Sequence, residues 1–168
     1  MQMSELFKNL IIEAGKLHEK KMLSERIGPE YFEPGRMEFL DQYEGIYNED
    51  QKELLLRFES KGTRYSGRTE QIEKVKTGDP VRIIRDKENR YNSNNFLILT
   101  SKGKDIGNMP AELCDAIAPL YDRGELFFTS SKASFVEPIS KRSRYAKQAI
   151  LFIELLCQID AEKGFIES

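Results

Sequence analysis

Apolar residues near the N-terminus recur at helical spacing. Leu6, Leu10, Ile11, Ala14 and Leu17 share one face, and Ser4 is placed to cap the start. This predicts an amphipathic helix over residues 4–24, which Gly28-Pro29 ends. A loop with Tyr31, Phe32 and Pro34-Gly35 follows, then a short helical stretch carrying Met37, Phe39, Leu40 and Tyr43. Asn48, with Gln51 three residues later, resembles a capping box and predicts a third helix through Leu54-Leu55-Leu56.

From Phe58 onward the period becomes that of strands. Phe58–Lys61 reads as a short strand entering turns at Gly62 and Gly67. Thr77-Gly-Asp-Pro80 is a turn, and Val81-Arg-Ile-Ile-Arg85 is the strand after it. Phe96–Leu99 is a buried strand running into the hairpin signal Ser101-Lys-Gly-Lys104. Pro110 opens a helix whose inner face is Leu113, Ile117 and Leu120; Pro119 disturbs its end and Gly124 caps it. Phe127-Phe128 and Phe135-Val136 are strand residues. The run from Ala149 to Leu156 fits either a strand or a buried helix. Short strands at close spacing around a helix predict an α+β, mainly β fold. Its form would be a small, partly open barrel of the OB type with one or two helices, preceded by an N-terminal helical arm. The expected division is the arm at 1–57, the barrel at 58–157 and an acidic tail at 158–168.

Charge changes the picture more than composition does. The 168 residues are 39% apolar and 32% charged, as a folded, well-solvated protein requires, and the net charge is only −2. That charge is unevenly spread: the balance is −4 over 1–57, +4 over 58–157 and −2 over 158–168. A basic middle between acidic flanks points to an anionic partner for the middle. No apolar run is long enough to cross a bilayer, and the N-terminus lacks the features of a secretory signal. Cys114 and Cys157 lie far apart without metal-type spacing. Both are expected to be reduced and partly buried, as in a cytoplasmic protein.

Catalytic chemistry finds no support. Gly62-Thr-Arg-Tyr-Ser-Gly67-Arg68-Thr69 nearly fits a phosphate loop, but Arg68 replaces its lysine, the preceding strand is charged, and little helix follows. The lone histidine, His18, offers no triad, and the scattered carboxylates form no metal site. The expectation is therefore a non-enzymatic protein without metal or cofactor.

Three loops have the residue types of a single-strand groove. Asn89-Arg90-Tyr91-Asn92-Ser93-Asn94-Asn95 crowds amides around one ring, although the same composition suits a plain polar turn. Arg64-Tyr65 and Arg68 lie in a second loop. Lys141, Arg142, Arg144 and Lys147 surround Tyr145 in a third. Arginines and lysines track phosphates, tyrosines stack on bases, and amides pair with base edges or sugars.

The order G-T-R-Y-x-G, T-G-D-P-V-R-I-I-R, D-x-x-N-x-Y-x-x-N, G-K-D-I-G-N-M-P-A-E-L and A-P-L-Y-D-x-G resembles the HIRAN domain over roughly residues 58–156. That family is found in fork-remodelling DNA translocases and as a stand-alone bacterial module. The resemblance implies an OB-like barrel whose pocket captures single-stranded DNA, at the free 3′ hydroxyl end in the best-known members. Arg64, Tyr65, Asn89, Tyr91 and Asn94 match the pocket pattern. Arg90 stands where the family usually has proline, and Asn92 where it has the aspartate that accepts the terminal hydroxyl. An amide discriminates hydroxyl from phosphate less than a carboxylate does, so looser 3′-hydroxyl selectivity is expected. The reading that follows is a module for single-stranded DNA or DNA ends in repair or replication, with a possible protein partner on the N-terminal helices. A scaffold module with the same barrel, docking through the helical arm, is the alternative, and an RNA-end binder is a third option.

Overall fold

The structure is a computed structural model and describes residues 43–48 and 51–159. The predicted helix over 4–24, its caps, His18, the 28–40 segment and the tail beyond Ile159 lie outside the described residues.

Strand β1 (Tyr43–Asn48) and strand β2 (Glu53–Glu59) form an antiparallel hairpin in which Asn48 faces Glu53 and Tyr43 faces Phe58. The expected helix through Leu54–Leu56 is therefore a strand, as is Tyr43. Leu54, Leu56 and Phe58 are buried while Glu53, Leu55 and Arg57 are only half-buried, which is the two-residue period of a strand. Asn48 ends β1, and Lys52, just before β2, takes a left-handed φ of 55°. A capping-box spacing fits a hairpin connection equally well, and pairing of Leu54–Leu56 with Leu155–Cys157 decides between them.

Strand β7 (Ile150–Ile159) resolves the ambiguous apolar run in favour of a strand. It lies between β2 and the long β6 (Leu126–Glu137), giving a four-stranded antiparallel sheet of order β1-β2-β7-β6. Successive side chains of a strand point to opposite faces, which puts Leu151, Ile153, Leu155, Cys157 and Ile159 together in the core. Two register shifts, at Phe128/Ser130 and Ala133/Phe135, bend β6.

A second antiparallel sheet contains β3 (Val81–Arg85), β4 (Phe96–Thr100) and β5 (Asp105–Asn108) in that order. Helix α1 (Arg68–Ile72) follows Gly67, and helix α2 (Ala111–Asp122) follows Pro110 at its N-cap. The two sheets meet at isolated bridges, Lys61 to Asn108 and Pro80 to Lys132. The expected barrel is thus two linked sheets without a continuous closed ladder among the described residues.

The core fills the space between them. Phe96, Tyr121 and Phe128, from β4, α2 and β6, form a ring cluster with centroids 4.9–5.3 Å apart. Leu113, Ile117 and Leu120 of α2 are buried, as their helical spacing predicts. Each such side chain contributes about 1.5–3 kcal/mol on leaving water. Cys114 and Cys157 are free thiols, both fully buried, and burial pushes the Cys114 thiol up to about 11. Among the described residues no helix is long and apolar enough to cross a membrane, and no group of His, Cys, Asp or Glu is arranged to hold a metal.

Candidate nucleic-acid interface

Long-range hydrogen bonds join the roots of three loops. Loop 62–67 leaves the end of β2, where Ser60 N–H donates to the Leu151 carbonyl at 2.8 Å. Thr63 Oγ1 donates to the Ala149 carbonyl at 3.0 Å, tying this loop to the one that precedes β7. Lys61 and Asn108 exchange backbone bonds of 2.8 and 3.0 Å, which brings in the end of β5. Asn95 Nδ2 then donates to Asn108 Oδ1 at 3.0 Å, tying in the loop between β3 and β4. Loops 62–67, 86–95 and 138–149 thus have their roots tied together around the Lys61–Asn108 bridge between the two sheets.

Each loop carries an arginine stacked on the exposed tyrosine that follows it. The guanidinium lies 5.2 Å from the ring centre for Arg64 on Tyr65 and for Arg90 on Tyr91, and 4.9 Å for Arg144 on Tyr145. Tyr65, Tyr91 and Tyr145 are 59%, 85% and 76% exposed respectively, far more than an aromatic residue with a packing role would be. None of these arginines has a carboxylate partner among the described residues. Lys141 and Lys147 are also exposed.

Other sequence-predicted residues are engaged in building the loops. Arg68 donates from Nε to Asp105 Oδ1 at 2.9 Å and from Nη1 to the Gly62 carbonyl at 3.1 Å, and its side chain is only 11% exposed. It pins the loop to β5. The short helix after Gly67 and this internal pairing leave no phosphate loop. Arg142 donates to the Gln148 carbonyl at 2.7 Å and faces Glu137 at 3.8 Å, closing its own loop.

The asparagines do likewise. Asn89 Oδ1 accepts the backbone N–H groups of Tyr91 and Asn92, both at 3.0 Å, while its amide donates to Asp86 at 3.1 Å. Asn92 Oδ1 accepts the Asn94 N–H at 2.9 Å. The amides of Asn92 and Asn94 both donate to Asp115 Oδ1, at 3.1 and 3.2 Å. These side chains hold Arg90 and Tyr91 outward, through turns of the kind that asparagine forms locally. Asn92 does not leave the loop without a carboxylate, because Asp115 of α2 reaches it.

The sequence reading missed four supports. Thr63, Asp105, Asn108 and Asp115 are ordinary residues whose partners in these bonds lie 13–86 positions away, and no local spacing marks them. Tyr145 is the exposed ring of the third loop and belongs with Tyr65 and Tyr91.

No curated protein matches the chain. Among solved structures, the HIRAN domain of human HLTF is 21% identical, covers 62% of this chain and 76% of its own, and superposes with a TM-score of 0.44. An HLTF HIRAN domain in its DNA-bound conformation gives 19% identity, coverage of 63% and 76%, and a TM-score of 0.43. A Lactobacillus plantarum protein gives 18%, coverage of 60% and 90%, and 0.46. The family model for the HIRAN domain matches residues 54–153, more than half of the sequence, and the chain belongs to the HIRAN domain family.

Proposed function

We propose that this chain is a non-enzymatic module that binds single-stranded DNA and captures strand ends, 3′ ends in preference. The observation that carries the reading is the set of three exposed Arg–Tyr pairs on loops whose roots are bonded together. Membership of the HIRAN family, with the DNA-end pocket its motifs imply, agrees with it.

Tyr65, Tyr91 and Tyr145 stack on bases, and Arg64, Arg90, Arg144, Lys141 and Lys147 neutralise phosphates. Arg68, Asn89, Asn92 and Arg142 position those groups, and Asn94 keeps its amide oxygen toward base or sugar donors. Selectivity at the terminus rests on the Asn92–Asp115 pair rather than on Asn92 alone. A carboxylate there accepts from a hydroxyl and repels a terminal phosphate.

Fluorescence anisotropy with single-stranded DNA, duplex and RNA, each end blocked in turn, tests this. Single strands with a free 3′ end are expected to bind most tightly. Affinity should fall with salt at a log–log slope of about −0.7 per phosphate contact. Equal binding of 3′-blocked strands would refute the 3′ preference, and equal binding with either end blocked would refute end capture. Absence of binding to any single strand would refute the module itself and leave the scaffold alternative.

A further inference from the structure

A second basic site lies away from these loops. Strand β4 begins at the asparagine loop and ends at the 101–104 hairpin, so the hairpin is at the opposite end of its sheet. Between this hairpin and the segment following α1 is a cleft of about 340 Å³, within the range of small-molecule sites. Lys74, Lys102 and Lys104 stand around it, and none has an ion-pair partner among the described residues. Asp79 is the carboxylate in the lining, and its Oδ2 already accepts the Lys76 N–H at 2.9 Å. The local charge is therefore positive.

Both walls are held in place. Gly78 N–H donates to the Ala133 carbonyl at 2.7 Å and Ala133 N–H returns to Asp79 at 2.9 Å, fixing the 77–80 turn to β6. Across the cleft, Lys104 N–H donates to Thr100 Oγ1 at 3.0 Å and Thr100 N–H to the Lys104 carbonyl at 2.8 Å. The lining also has an apolar part: exposed Pro80, with the edges of the mostly buried Val75 and Val81 showing beside it. Gln71 and Ser101 add an amide and a hydroxyl. A bare anion would use the lysines and leave this apolar surface wet.

We propose that the cleft binds a nucleoside phosphate, its base against Val75, Pro80 and Val81 and its phosphate among Lys74, Lys102 and Lys104. The same chemistry is presented by a free nucleotide and by one nucleotide of a strand whose end is held at the loops. The site does not depend on the end-capture reading.

The test is methyl NMR of the full chain, following Val75 and Val81 during titration with dAMP, deoxyadenosine, inorganic phosphate and a dT oligomer. Saturable methyl shifts with dAMP are expected, much weaker ones with deoxyadenosine, and at least a tenfold loss of affinity in the Lys102→Glu/Lys104→Glu protein. The dAMP response should persist unchanged in Tyr91→Ala, which separates it from the loop site. Shifts with the oligomer but not dAMP, lost in the double variant, assign the cleft to a nucleotide within a strand. The proposal is overturned if neither ligand moves these methyls, if inorganic phosphate alone reproduces the shifts, or if the double variant binds as well as the parent.

Discussion

Arg85 and Asp122 face each other in a two-pronged ion pair, Nε to Oδ1 and Nη2 to Oδ2, each 3.0 Å long. The same guanidinium donates from Nη1 to the carbonyls of Ser93 and Asn95, at 2.7 and 3.1 Å, and lies 5.4 Å from the centre of the Phe96 ring. One side chain therefore fastens the asparagine loop to the end of α2. Arg85→Ala removes all of these bonds. The expected cost is about 2–3 kcal/mol in urea unfolding, in line with hydrogen bonds to charged groups. Arg85→Lys should recover only part, because an ammonium cannot make the planar two-pronged contact.

The same pair predicts a pH dependence. Hydrogen bonding from Arg85 holds the Asp122 carboxyl below its ordinary value of 3.8. On acidification the unfolded chain takes up this proton first, so the stabilisation is complete above that value and is lost as pH falls through the lower folded one. The gap in urea midpoint between the parent and Asp122→Asn should be constant above about pH 5 and narrow below about pH 4. A gap that widened toward low pH would contradict the assignment.

Tyr91 is so exposed that its loss should leave folding stability within about 0.5 kcal/mol. Tyr91→Ala should nonetheless weaken single-strand binding by about 1–3 kcal/mol, read by anisotropy. Tyr145→Ala should behave alike if the third loop shares the groove. An unchanged affinity would remove that loop from the interface.

Gly107 has φ +135°, and a Cβ there would collide with Ser60 Oγ and come within 2.9 Å of the Lys61 carbonyl. Ser60 Oγ also donates a buried bond to the Ile106 carbonyl at 2.8 Å. Gly107→Ala should therefore force β2 and β5 apart at the Lys61–Asn108 bridge, costing about 3 kcal/mol. Gly103, at φ +84° with open space around it, is the control. Gly103→Ala should cost only about 1–2 kcal/mol, the strain of left-handed backbone alone. Thermal unfolding compares the two.

Asp115→Asn retains an acceptor for Asn92 and Asn94 but deletes the negative charge at the base of the asparagine loop. Single-strand affinity should rise a few-fold at low salt, and more for a 3′-phosphate strand than for a 3′-hydroxyl one. Equal gains for both ends would exclude Asp115 from reading the terminus.

The strands at 81–85 and 96–100, the hairpin at 101–104 and helix α2 were legible from local period and turn chemistry, because each depends on neighbours within a few residues. The exposed Arg–Tyr pairs were legible for the same reason, each being two consecutive residues. Leu54–Leu56 misled because three consecutive leucines suit either period until β7 pairs with them. Arg68 and the asparagines had the composition of ligand-binding groups, yet their bonds run to Asp105, Asp86 and Asp115. Asp86 is a local partner of Asn89, but Asp105 and Asp115 are brought in by chain closure over 21–37 residues, and the Thr63–Ala149 and Asn95–Asn108 bonds that gather the loops likewise join separate elements. Side-chain chemistry is a local property of the chain. Which polar groups satisfy one another, and which are left facing solvent, depends on sheet pairing that no local spacing encodes.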